Sequence, residues 1–207
     1  MYWGNLLTTE QKSQWRENNL HNETILEFCR NISIKQISVG NKTYGPLNVI
    51  GFGQKNEKLE IGAYCSIARE VAFILGGEHD YLRLSTFPFL NKVYGQNEAI
   101  TKGKIVVEDD VWIGFRATIL SGITIGQGAV IAAGSTIARD IPPYAIADST
   151  RIIKYRFDED IIEKLLRFDL SSLKYDDFLN YEEFFIKHNF HQTFFESKLY
   201  LSHLKKG

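Results

Sequence analysis

The apolar positions of this chain change their period twice. Near the N-terminus, Thr8 followed three residues later by Gln11 makes a capping-box pattern, and Trp15 with Leu20 gives a sparse apolar face, which together predict a helix. Ile25, Leu26 and Phe28 read as a second short helical segment, so residues 1–36 are expected to be helical. From Val39 to about Phe157 the chain is rich in glycine, β-branched and small polar residues, the composition of strands and turns. Asp158 then stands as an N-cap before Ile161, Ile162, Leu165, Leu166 and Leu170, whose spacing predicts a helical tail over 158–207.

Within the middle part, aliphatic residues fall at Val107, Ile113, Ile119, Ile125, Ile131 and Ile137, a constant spacing of six. Val111, Ala117, Ile123, Ala129, Ser135 and Ile141 follow each of them by four residues, and Gly114, Gly126 and Gly128 lie near the predicted turns. An earlier fragment keeps the phase at Ile61, Ile67 and Phe73. A period of six suits neither a helix nor a simple alternating strand; it suits a triangular β-solenoid with three hexapeptides per coil. Val107 should then stack on Ile125, Ile113 on Ile131 and Ile119 on Ile137. Residues 76–104 interrupt the period and are expected to project as a loop, a common place for function on a rigid scaffold. The tail's seven Phe and three Tyr need burial, which points to a cover over the solenoid end or packing on a neighbouring subunit.

Charge changes the picture by exclusion. Lys and Arg number 24 against 25 Asp and Glu, so no global field draws the chain to nucleic acid or an anionic membrane. No apolar run is long enough for a membrane span, and the opening MYWGNLLTTEQKSQW lacks the basic start and apolar core of a secretory signal. The N-x-S/T triplets at Asn22, Asn31 and Asn41 are therefore expected to be accidental, and Cys29 and Cys65 to be free thiols in a reducing cytoplasm.

Of five histidines, His79 alone lies within the solenoid segment, between Glu78 and Asp80 at the root of the insertion, after Gly76 and Gly77. A histidine held at a coil corner is a plausible general base, though one that merely bonds a loop carbonyl is the plainer reading of the residues by themselves. Cys65 falls at an inward or corner position of its hexapeptide, which suits a buried thiol better than a nucleophile. His188, His191 and His203 lack the partners of a metal site, so no metal is expected. Gly51-Phe52-Gly53 lacks the third glycine of a dinucleotide fingerprint.

The linked blocks IGAYCSIA, GGEHDYLRLSTFPF and VVEDDVWIGFRATILSGITIGQGAVIAAGSTIARDIPPYAI closely resemble the left-handed β-helix acyltransferases with hexapeptide repeats. The resemblance covers about residues 37–170 and is closest to the xenobiotic acetyltransferase branch, which holds streptogramin and type B chloramphenicol enzymes beside many surface-polysaccharide acetyltransferases. It implies a mainly β fold, a left-handed parallel β-helix over 37–157 between the helical segments, and a homotrimer with active sites between subunits. It also implies acetyl-CoA as co-substrate and His79, which matches the family's catalytic histidine, as general base. An Asn more usually precedes that histidine; here Glu78 does.

Trp112 matches the family's VWIG tryptophan near the active site, although packing alone would serve it equally well. Ala133 and Ala138 match the backbone path beside the pantetheine arm and adenine of CoA, and Lys154 a phosphate contact, while Arg139 and Arg151 are further cations where the solenoid ends. Relatives usually read like IVGGNPAKVI where this chain has IADSTRIIKYRF, so the turn at 148–151 departs from the pattern. The shorter insertion and the tail RFDLSSLKYDD favour a sugar hydroxyl or amine of a surface glycan as acceptor. An antibiotic is the second reading, and a non-catalytic solenoid scaffold the third.

Overall fold

Side chains six residues apart that point the same way can be stacked by coiling the chain, and the computed structural model, which describes residues 5–186 and 192–205, shows that coil. One face is built from β2 (Ile37–Val39), β4 (Leu59–Ile61), β7 (Ile105–Val107) and β10 (Thr124–Ile125), all parallel. A second joins β5 (Ser66–Ile67), β8 (Trp112–Ile113), β11 (Val130–Ile131) and β13 (Ala145–Ala147). A third joins β6 (Ala72–Ile74), β9 (Thr118–Leu120) and β12 (Thr136–Ile137). The long strand β3 (Tyr44–Ile50) turns the corner between the last two, pairing with β5 at Tyr44 and with β6 from Asn48 to Ile50.

The registers are those the period of six predicts. Val107 pairs with Ile125, Ile113 with Ile131 and Ile119 with Ile137, and all six are buried. Ile61, Ile67 and Phe73 continue the columns one coil earlier. Each buried aliphatic of this size contributes about 1.5–3 kcal/mol, so the columns hold the coil together layer by layer. At the corners, a residue in the left-handed region recurs every six positions: Tyr64 and Glu70, then Asp110, Arg116, Gly122, Gly128 and Gly134. The tight turns therefore belong to that position. Gly114 and Gly126 serve differently, because a Cβ there would lie 2.7 Å from Ala133 N and 2.5 Å from Pro143 N of the next coil.

The N-terminal segment corrects the sequence expectation. Helix α1 (Thr9–Asn18) forms with both capping-box bonds, Gln11 N–H to Thr8 Oγ1 and Thr8 N–H to Gln11 Oε1, and buries Trp15 in the core, but Leu20 is exposed. Residues Glu23–Arg30 are not helical: they form strand β1, parallel to β3, so the coil begins there. The insertion carries one short helix, α2 (Phe89–Tyr94), and β14 (Ile152–Tyr155) closes the coil by pairing antiparallel with β13.

Residues 156–207 form a second compact unit. Its helices are α3 (Glu159–Leu166), α4 (Tyr175–Asn180), α5 (Glu182–Ile186) and α6 (Lys198–Ser202). Asp158 occupies the N-cap of α3 without a side-chain capping bond. Within the unit Phe168, Phe194 and Tyr200 pack ring on ring, with centroids 5.2 to 5.9 Å apart, and the Tyr200 hydroxyl donates to Lys164 O at 2.9 Å.

Candidate active site

The coil opens after β6. Gly77 has φ +89°, and a Cβ on it would fall 2.4 Å from the Phe52 ring, so only glycine allows the chain to leave the third face while Phe52 packs beneath it. Two residues on, His79 is exposed and its Nδ1 lies 2.6 Å from the carbonyl of Thr86. A carbonyl only accepts, so Nδ1 carries the ring proton of the neutral side chain and Nε2 keeps its lone pair. The bond thus fixes both the orientation of the ring and the tautomer that a general base needs. The insertion's two ends are tied by a bridge between Glu78 and Ile100, with N–H to O distances of 3.1 and 2.9 Å. Inside it Arg83 links Asp80 at 3.1 Å to Glu98 at 2.8 Å.

His79 lines a cleft of about 840 Å³ bounded by the end of β1, the end of β3, residues 51–53 and the loop 88–99. Phe28, Arg30, Phe52, Lys92 and Glu98 are among its walls. The Gly51-Phe52-Gly53 run, which fails as a dinucleotide motif, is thus a wall of the cleft. A residue that sequence reasoning missed supports it. Glu57 is fully buried, its Oε2 accepts the N–H groups of Phe52 at 2.9 Å and Gly53 at 3.0 Å, and its buried Oε1 has no partner. Burial pushes its carboxyl above the usual carboxylate value, while these N–H bonds hold it down. The only hint in the sequence is an acidic residue just ahead of a hexapeptide, which looks like any loop charge.

The other predicted site residues fall on different parts of the coil. Ala138 and Arg139 follow β12 on the third face, the face that His79 leaves after β6, two coils away; at ~4.8 Å per strand this is about 10 Å along the axis. Ala133, exposed, sits at the corner between β11 and β12, and Arg151, exposed, follows β13. Lys154 is exposed on β14, opposite Ile146. Trp112 is 56% exposed on the outward row of the second face, in register with Ser66, which in turn pairs with Tyr44. The chain therefore gathers His79, Ala138 and Arg139 toward one edge, and Ala133 and Arg151 toward another. The departing turn at 148–151 is closed by Asp148, whose Oδ1 accepts from Thr150 N–H, the Thr150 hydroxyl and Arg151 N–H at 2.7, 2.7 and 2.9 Å. These bonds hold its carboxyl below the usual range.

The remaining candidates have structural surroundings. Cys65 is fully buried and burial pushes its thiol up to about 12, so it is no thiolate nucleophile. His21 bonds the Val39 carbonyl at 2.8 Å, and His203 faces Asp177 at 3.5 Å. His188 and His191 lie outside the described residues, among which no group of three His, Cys, Asp or Glu could hold a metal.

Residues 104–139 match the family described as bacterial transferase hexapeptide (six repeats). A probable macrolide acetyltransferase of Lysinibacillus sphaericus is 39% identical over 125 residues, 55% of this chain and 68% of that protein. A chloramphenicol acetyltransferase of Agrobacterium fabrum is 38% identical over 53% of this chain and 57% of its own length. The chain thus spans between 57% and 68% of these two relatives. Among solved structures, a hexapeptide-repeat acetyltransferase of Vibrio cholerae complexed with acetyl coenzyme A superposes with a TM-score of 0.54 at 28% identity, covering 72% of this chain and 78% of that one. A maltose O-acetyltransferase of Clostridium difficile 630 gives 0.53 at 26% identity, covering 73% and 80%.

Proposed function

We propose, from the premise that the chain belongs to the hexapeptide-repeat acetyltransferases, that it moves an acetyl group from acetyl-CoA to a hydroxyl or amine of a sugar in bacterial surface-polysaccharide assembly. His79 is the general base. The observation that carries this reading is its Nδ1 contact with the Thr86 carbonyl, which leaves Nε2 basic and aimed by a fixed ring. As Nε2 takes the acceptor's proton, the acceptor oxygen or nitrogen attacks the thioester carbonyl and a tetrahedral oxyanion forms. Its collapse breaks the C–S bond, and the imidazolium returns the proton to the CoA thiolate. Backbone N–H donors aimed at the oxyanion would supply the larger electrostatic share.

The coil is a left-handed β-helix in this reading, and three copies assemble with acetyl-CoA lying between neighbours. Ala133, Gly134 and Ala138 carry little or no side chain on the corners, so a pantetheine arm can reach the backbone there. Arg139, Arg151 and Lys154 would meet the phosphates, and Trp112 would border the acyl end. The enzyme would work in the cytoplasm.

An antibiotic acceptor is the second reading, favoured by the names of the macrolide and chloramphenicol relatives. The short insertion supports a sugar instead. Thiol release from acetyl-CoA with nucleotide sugars, glycans and antibiotics offered side by side decides between them. Turnover of antibiotics alone would overturn the sugar reading, and acetyl-CoA bound but never consumed would favour a scaffold.

A further inference from the structure

The Thr86 carbonyl reaches His79 from the far side of a turn in the insertion, and that turn needs an anchor of its own. The backbone bridge between Glu78 and Ile100 pins the neck of the insertion but stops short of the turn. Beyond the neck, Glu98 takes over. Its side chain is 11% exposed, and each carboxylate oxygen has a partner. Oε2 meets Arg83 Nη1 at 2.8 Å, and Oε1 accepts the N–H of Asn91, in the first turn of α2, at 2.9 Å. Thr86 lies between those two points of the chain, so one carboxylate anchors the segment on both sides of the carbonyl that His79 uses. Arg83 Nε also meets Asp80, next to the histidine, at 3.1 Å, and Asp80 Oδ1 accepts the N–H of Leu82 at 3.1 Å. A guanidinium is planar and rigid, so binding two carboxylates through different nitrogens fixes the direction from Asp80 to Glu98. A lone exposed pair would hold little. Here two pairs share one cation, and Glu98 is largely out of water. His79, Arg83, Thr86 and Glu98 line one small cavity, so the anchor and the hydrogen bond it serves are neighbours.

Resting on the reading of His79 as general base, we infer that Arg83 is a positioning residue of the reaction. By tying Asp80 to Glu98 it keeps the Thr86 carbonyl on Nδ1, which keeps the ring proton there and the lone pair on Nε2. Without the tie the carbonyl leaves Nδ1 and the proton is free to move to Nε2. That nitrogen then becomes a donor, unable to take the acceptor's proton. Arg83 is not among the described residues that line the large cleft, so it acts through the loop and not by touching the acceptor.

The test uses the full chain and reads the tautomer directly. Nitrogen NMR spectra of the His79 ring, taken where the ring is neutral, should place the proton on Nδ1 in the wild type. Arg83→Met, at a half-exposed position, keeps the stem and removes both bonds, and about half the population or more should move to Nε2. Arg83→Lys keeps the charge but not the fork and should restore only part of that loss. Thiol release from acetyl-CoA, with chloramphenicol and UDP-N-acetylglucosamine as parallel acceptors, should show kcat about 10-fold lower in Arg83→Met, with KM for acetyl-CoA nearly unchanged. In a His79→Ala background the same substitution should cost nothing more, because its effect runs through the histidine. A role confined to loop stability would lower the melting temperature and leave the spectrum and kcat as they were, and that result would overturn the inference. An Arg83→Met loss that persists undiminished in the His79→Ala background would overturn it as well. The expected pattern seen with chloramphenicol alone would support Arg83 and overturn the sugar acceptor, so the two readings fail separately.

Discussion

His79 illustrates what one hydrogen bond can decide. Its exposed ring could adopt either tautomer, and the Thr86 carbonyl selects one. His79→Ala should leave the fold and CoA affinity nearly unchanged and lower kcat by about 10² to 10⁴-fold, the usual share of a positioned acid–base group. A variant that kept more than a tenth of wild-type turnover would remove His79 from the chemistry. Glu57 makes a different demand. Its folded carboxyl titrates above the ordinary 4.5, so the native state binds that proton more tightly than the unfolded chain does. The associated stability is present below 4.5 and is lost as pH rises through the folded value. Glu57→Gln keeps an acceptor oxygen for Phe52 and Gly53 and removes the titration, so its melting temperature should stay flat where that of the wild type declines. Parallel curves would contradict this. The histidine could be read from the sequence because its block is distinctive, whereas Glu57 could not, because only folding brings its carboxylate under the backbone of residues 52 and 53.

Among the elements, the hexapeptide columns were legible, since a side-chain period of six suits a coil of three hexapeptides and each inward residue repeats the message. Strand β1 was not. Thr24 and Leu26 alternate inward as a strand requires, but a bulge between Leu26 and Phe28 shifts the phase before Cys29 is buried. Ile25 and Phe28, both apolar and outward, then mimic the three-residue spacing of a helix face. The corners allow a sharper test. Gly128 and Gly134 have nearly the same backbone, φ +70° and +72°, but a Cβ at 128 would meet the Tyr144 ring at 2.4 Å and one at 134 would meet nothing within 4 Å. Gly134→Ala should cost about 1 kcal/mol, the left-handed strain alone. Gly128→Ala should cost a further 1–3 kcal/mol from overpacking. Equal losses in urea melts would show that the ring yields freely.

For the whole molecule, the outward row of the second face carries Tyr44 and Trp112, 51% and 56% exposed, next to each other across Ser66. Aromatics so placed on a rigid coil suit a subunit contact. A trimer of about three times 23.8 kDa is expected by light scattering, and Trp112→Arg should shift the mass toward monomer; a wild type active as a stable monomer would exclude the assembly. The bridge between Glu78 and Ile100 has a consequence for inheritance. Because it pins the insertion at its neck, the columns through Phe73 and Ile119 keep register whatever lies beyond. Selection can then rewrite residues 88–96, which leave the Thr86 carbonyl beside His79, without renegotiating the scaffold, so acceptor choice can drift quickly between descendants whose coils stay nearly the same. A laboratory exchange of that segment should likewise move the acceptor spectrum while leaving the melting temperature within a few degrees.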